Sequence, residues 1–165
     1  MVTPLQVANY TAVFANGGSL YRPHLIKLIL DSSDQPIGQV DNKPIKANIV
    51  SAKTIEIVRQ GMRQTITDGS ARSLQSVPVT VAGKTGTAQW SSTKPAHAWF
   101  TGWAPYDKPQ VVITILIESG GEGSSTAVPI ANEVLTWYFN RETATSTNIV
   151  IPAQACLRRQ AGIQD

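Results

Sequence analysis

Residues 81–89, Val-Ala-Gly-Lys-Thr-Gly-Thr-Ala-Gln, put an ammonium (Lys84), two hydroxyls (Thr85 and Thr87) and two glycines (Gly83 and Gly86) on one short run. The alternating valines ahead of it, Val77, Val79 and Val81, predict a strand over about 77–89. A cation and hydroxyls on a strand can hold a carboxylate, and glycines remove side chains where another backbone must approach closely. An accessible strand also accepts an extended peptide as an added strand. Acyl transfer from a peptide that ends in a carboxylate needs such a wall, with backbone N–H groups aimed at the developing oxyanion. Phosphate binding is the rival reading, because Gly-Lys-Thr also ends the phosphate-binding loop. That loop requires a glycine at position 78, where this chain has Pro78, and a helix after the Lys-Thr, which Gly86 opposes.

Other chemistry-bearing residues are weaker candidates. Ser91-Ser92-Thr93-Lys94 fits Ser-x-x-Lys, but it falls in a loop between strands, whereas the lysine must face its serine across one helical turn. Ser146-Thr147-Asn148 fits Ser-x-Asn but lies in a polar tail. Both follow Lys84, the reverse of the order that acyl-transfer signatures take. His97 reads as a loop histidine at the mouth of a strand, and Glu118 as a structural acceptor of backbone hydrogen bonds at a strand end. Trp90, Trp99, Trp103 and Trp137 read as core or cleft-wall aromatics. His24 and His97 are far apart and Cys156 is the single cysteine, so no disulfide, metal or cofactor is expected. A net charge of +3 spread over scattered lysines and arginines argues against nucleic acid as a partner.

These residues need a framework. At 165 residues and 42% apolar composition, the chain can bury one core. Thr3, Pro4 and Gln6 predict a capped helix running to Phe14 and stopping at Gly17-Gly18. A helix signal so near Met1 suggests that Met1 is not the natural start of the domain. Residues 19–50 read as irregular, with a short strand over Tyr21–Leu30. Ser51 caps a second helix whose stripe is Ile55, Val58, Met62 and Ile66, ended by Asp68-Gly69. Strands follow over about 77–89, 97–104 and 110–118, the last covered on both faces. Gly120–Ser125 reads as a flexible connection to a helix over Thr126–Phe139, with Ile130, Val134, Leu135 and Tyr138 facing the sheet. The fold class is therefore α/β in the broad sense (α+β), an antiparallel sheet with flanking helices. One domain occupies residues 1–140, and 141–165 form a loosely held polar tail. The longest apolar run, Val111–Ile117, is far short of the roughly 20 residues that span a bilayer. With no signal-peptide pattern at the start, the chain is expected to carry no signal or anchor of its own.

Four stretches together resemble one family. They are Thr3 to Gly18 with Tyr21-Arg22-Pro23-His24, then Ala82 to Gln89, then His97 to Pro105, and Ile117 to Gly121 leading to Pro129-Ile130-Ala131. In this order they look like the C-terminal half of the transpeptidase domain of a class B penicillin-binding protein, closest to the cell-elongation type, the penicillin-binding protein 2 group. The resemblance implies a partial penicillin-binding/β-lactamase-like transpeptidase fold and a serine D,D-transpeptidase that cross-links peptidoglycan stem peptides and is acylated by β-lactams. It implies that Lys84, Thr85 and Thr87 hold the terminal D-Ala-D-Ala carboxylate, that Gly86 belongs to the same substrate strand, and that the Thr87 N–H completes the oxyanion hole. Lys84 and Thr87 are then the catalytic residues of this chain. The nucleophilic serine, its lysine and the Ser-x-Asn belong upstream of the first helix, so the missing N-terminal part of the domain is an expected partner and the chain alone is expected to be inactive. The parent protein is expected at the bacterial inner membrane, facing the periplasm or cell exterior. Two alternatives stand beside it: a non-catalytic penicillin- or peptide-binding module, and half of a serine β-lactamase or β-lactam sensor domain.

Overall fold

Helix α1, Pro4–Ala15, begins where its side chains can satisfy its own unpaired donors. The Gln6 N–H donates to Thr3 Oγ1 at 3.2 Å and the Thr3 N–H donates to Gln6 Oε1 at 2.9 Å, a reciprocal capping box. At the other end Gly17 and Gly18 take φ of +84° and +113°, and the Gly18 N–H returns to the Val13 carbonyl at 2.8 Å. Both ends follow the sequence reading. The computed structural model describes residues 2–144 apart from 40 and 42, so the expected tail lies outside the described residues from 145 onward.

The segment that follows departs from expectation. Strand β1 covers only Leu28–Leu30, and it pairs with an unforeseen β2, Pro36–Gln39, in an antiparallel hairpin. Arg22-Pro23-His24 lies outside any strand. Leu25, Ile26, Leu28, Ile29, Leu30 and Ile37 are all exposed, so this hairpin has no core face and shows no alternation to read.

Helix α2, Ala52–Thr67, is capped by Ser51, whose Oγ accepts from the Thr54 N–H at 3.2 Å. Ile55 and Ile66 are buried while Val58 and Met62 are half-buried, as the periodicity predicts. A 3₁₀ turn, Arg72–Ser76, follows and inserts Leu74 into the core, and the strand expected over about 77–89 is shortened to Ala82–Ala88. Pro78 supplies no N–H for a ladder, and pairing begins only at Ala82.

Strands β3 (Ala82–Ala88), β4 (His97–Ala104) and β5 (Val111–Ile117) form an antiparallel sheet in the order β3-β4-β5. Lys84 pairs with Thr101 and Thr101 with Thr114, so these three side chains share one face. Helix α1 covers that face. The buried Thr11 hydroxyl donates to the Val7 carbonyl at 2.8 Å, so it accepts from Thr101 Oγ1 at 2.9 Å, which in turn accepts from Thr114 Oγ1 at 2.7 Å. Ala15, Ala82 and Trp103 pack beside this chain of hydroxyls. The Arg59 guanidinium donates to the last carbonyls of α1, Phe14 at 3.0 Å and Ala15 at 2.8 Å, and to Tyr106. It also lies 5.2 Å from the ring centroids of Trp103 and Tyr106, tying α1, α2 and the β4–β5 turn together.

The opposite face carries the larger core. A π-helical turn, Gly123–Ala127, occupies half of the expected flexible connection and leads into α3, Val128–Ala144. Val128, Ala131, Leu135 and Phe139 of α3 are buried with Ile66, Leu74, Val81 and Phe100. The inward stripe of α3 is therefore rotated from the expected one. Leu135 faces in and Tyr138 packs at the margin, but Ile130 and Val134 are 37% and 44% exposed. Helix α3 also runs past Phe139 and Arg141, carrying regular structure into the first residues assigned to the tail. Strand β5 contacts both layers, as its unbroken apolar run implies, yet each of its residues is only partly buried because it lies at the sheet edge.

Candidate functional site

Strand β3 is the other edge of the sheet, and the Lys-Thr-Gly-Thr run lies along it as the sequence predicts. Side chains alternate across the pleat, so Lys84 and Gly86 belong to the α1 face and Thr85 and Thr87 to the α3 face. The structure thus separates Lys84 from the two hydroxyls by the thickness of one strand. A ligand laid alongside the edge would meet all three, the ammonium from one side of the pleat and the hydroxyls from the other.

Lys84 is exposed, and its Nζ donates to the Thr85 carbonyl at 2.7 Å. No carboxylate forms an ion pair with it among the described residues. Thr87 is exposed, and its hydroxyl has no partner among the described residues. Thr85 is half-buried, and its Oγ1 lies 2.7 Å from Ser70 Oγ, in the segment that leaves α2. A cleft of ≈ 250 Å³ opens between the start of α1 and this edge, lined by Val2, Val7 and Tyr10 on one side and by Lys84, Thr85, Gly86, Trp99, Phe100 and Thr101 on the other.

The two glycines of the run have different roles. Gly83 is buried, and a Cβ there would lie 2.5 Å from the Phe100 ring, so its missing side chain makes room for a core aromatic rather than for a ligand. Gly86 is approached from behind by Gly123 of the π-helical turn. A Cβ on Gly123 would come within 2.5 Å of the Gly86 carbonyl oxygen and also strike the Trp99 carbonyl. In sequence Gly123 reads as part of the flexible connection Gly120–Ser125; its signal is a glycine placed just before a helix, which many linkers also have.

The remaining candidates fall outside this edge. Ser91–Lys94 forms the loop between β3 and β4 with no helical turn to align its serine and lysine, as expected. His97 is the first residue of β4 rather than a loop histidine; its Nδ1 accepts from the Ser119 N–H at 2.9 Å and its ring stacks on Trp90 at 5.0 Å. Glu118 is exposed in the turn after β5 and accepts no backbone hydrogen bond among the described residues, whereas a structural acceptor is expected there. Trp103 is core, Trp99 lines the cleft, and Trp137 is 59% exposed on the outer side of α3. Ser146 to Asn148 lie outside the described residues. Among the described residues no three His, Cys, Asp or Glu side chains gather as a metal site would require.

The sequence model of the family described as the penicillin binding protein transpeptidase domain matches residues 1–136. The chain is 34% identical over 173 aligned positions to the peptidoglycan D,D-transpeptidase MrdA of Haemophilus influenzae, an alignment covering 92% of this chain and 26% of that protein. It thus spans about a quarter of that relative's length. Among solved structures, it resembles penicillin-binding protein A of Mycobacterium tuberculosis in its ceftriaxone acyl-enzyme complex, with a TM-score of 0.72 and 29% identity, covering 81% of this chain and 31% of that one. Penicillin-binding protein 2 of Pseudomonas aeruginosa gives a TM-score of 0.69 at 34% identity, covering 83% and 30%.

Proposed function

Because this chain belongs to the penicillin-binding protein transpeptidase domain family, we propose that it forms the carboxylate-binding wall of a serine D,D-transpeptidase that cross-links peptidoglycan. The observation that carries this reading is the exposed Lys84 ammonium on a bare sheet edge, unpaired with any described carboxylate and followed by the free Thr87 hydroxyl. An upstream part of the same domain supplies the serine. Its Oγ attacks the carbonyl carbon between the last two D-alanines, the C–N bond breaks, and the terminal D-alanine leaves with a proton. An amine of a neighbouring strand then attacks the ester and restores the serine.

In this scheme Lys84, Thr85 and Thr87 hold the terminal carboxylate, Gly86 keeps the strand narrow beside it, and the Thr87 N–H donates to the oxyanion. Strand geometry supports that last role. The Thr85 carbonyl takes the Lys84 ammonium on the side of β3 away from β4, and the two-residue alternation turns the Thr87 N–H to the same open side. β-Lactams, as carboxylate-bearing mimics of the donor, are ligands of the completed site. The upstream part docks on the apolar edge of β5, which has no strand partner on its outer side among the described residues. We place the parent protein at the bacterial inner membrane with this domain facing outward; among the described residues no helix is long and apolar enough to cross a membrane.

Labelling with a fluorescent penicillin tests the proposal. The chain alone should remain unlabelled. Joined to its upstream part it should be acylated on an upstream serine, and Lys84→Ala should suppress that labelling. Acylation of the chain alone, or labelling indifferent to Lys84, overturns the reading. Binding without acylation in the completed domain marks a non-catalytic peptide-binding module instead.

A further inference from the structure

We infer that Ser70 is a positioning residue of the carboxylate site, fixing Thr85 so that the Thr85 proton points at the ligand. This rests on the reading of β3 as the carboxylate wall. Ser70 is held firmly for a residue outside any element. The Gly69 N–H returns to the Gln64 carbonyl and the Ala71 N–H to the Thr65 carbonyl, each at 3.0 Å, so both neighbours are tied to the end of α2. Ala71 is fully buried, which anchors the segment from the other side. That path brings Ser70 Oγ to 2.7 Å from Thr85 Oγ1.

Each hydroxyl has one proton. With Thr85 donating to Ser70, Thr85 has no proton left for a carboxylate. With Ser70 donating to Thr85, the Thr85 proton is free, and both hydroxyls are satisfied once an anion arrives. A carboxylate only accepts hydrogen bonds, so its binding selects the order Ser70 to Thr85 to ligand, and each bond polarises the next. Thr87 has no comparable partner among the described residues, so its hydroxyl must be oriented by the ligand itself.

Acylation rates of the completed domain with a penicillin and with its methyl ester test this assignment. The wild-type protein should prefer the free acid. Ser70→Ala should slow reaction with the acid by about 3- to 10-fold, the size of one net hydrogen bond, and leave the ester rate unchanged. Ser70→Thr should restore the acid rate, and Ser70→Ala should add nothing to Thr85→Val, because the serine acts through that threonine. An acid preference untouched by Ser70→Ala overturns the positioning role while leaving the carboxylate wall standing. Equal losses on acid and ester reduce Ser70 to a structural residue, and additivity with Thr85→Val makes it a direct ligand contact; either result sinks the inference. No preference for the acid in the wild-type protein removes the carboxylate reading itself, and this inference with it.

Discussion

The two edges of the three-stranded sheet are opposites. β3, Ala-Gly-Lys-Thr-Gly-Thr-Ala, offers only small or polar side chains, and Lys84, Thr87 and Ala88 are exposed. β5, Val-Val-Ile-Thr-Ile-Leu-Ile, is aliphatic except for Thr114. An apolar edge gains roughly 25 cal/mol for each Å² it buries, so β5 suits a neighbour that stays. A polar edge gains only about 0.5–1.5 kcal/mol for each neutral hydrogen bond, which suits a peptide that must be bound and then released. One sheet can therefore keep its fold and its chemistry on separate strands.

Lys84→Ala tests that separation most strongly. Acylation of the completed domain should fall by about 10²- to 10³-fold, the usual cost of losing one electrostatic group at the reacting centre. Its thermal midpoint should stay within a degree or two, because Lys84 is exposed and bonds only to its neighbour's carbonyl. A large drop in the midpoint would mean that the edge is structural after all. Gly123→Ala and Ile115→Ala form the next pair. The added methyl at 123 meets two backbone carbonyls that cannot yield, and should cost about 1–3 kcal/mol in urea denaturation. It should also slow acylation by displacing Gly86. Truncating Ile115, partly buried on β5, should cost a similar amount, about 1–3 kcal/mol, and leave the acylation rate of the folded fraction unchanged. Equal kinetic effects from both substitutions would erase the distinction between the edges.

Much of the framework was legible because local rules and tertiary packing agree. Thr3, Pro4 and Gln6 cap α1 with their own side chains, and Ile55 and Ile66 mark a helix face that is in fact buried. The Lys-Thr-Gly-Thr strand and its two successors follow from residue spacing and turn chemistry. What escaped has no local signature. The β1–β2 hairpin exposes Leu28, Ile29 and Ile37, so no polar face alternates with an apolar one. Helix α3 has aliphatic or aromatic residues around most of its circumference, and only the neighbouring core selects Ala131 and Phe139 over Ile130 and Val134. Within the site, Lys84 and Thr87 could be read from chemistry, but Gly123 and Ser70 reach β3 only through the fold.

The finest test lies in the one polar residue of β5. The Thr11 hydroxyl donates to the Val7 carbonyl, which makes Thr101 the donor to Thr11 and Thr114 the donor to Thr101. Removing the middle hydroxyl breaks its bonds to Thr11 and Thr114 and a longer one to the Ile113 carbonyl, leaving the buried Thr11 hydroxyl only its bond to Val7, whereas removing the last breaks one bond at a half-buried site. Thr101→Val should therefore cost about 1–3 kcal/mol and Thr114→Val about 0.5–1.5 kcal/mol in urea denaturation. Thr114→Val also makes β5 aliphatic throughout, so the isolated chain should self-associate more strongly in sedimentation, as an uninterrupted apolar edge does. Should Thr114→Val prove the costlier substitution, the proton order is reversed, and β5 holds its threonine for the hydroxyl chain rather than tolerating it at an edge meant for another strand.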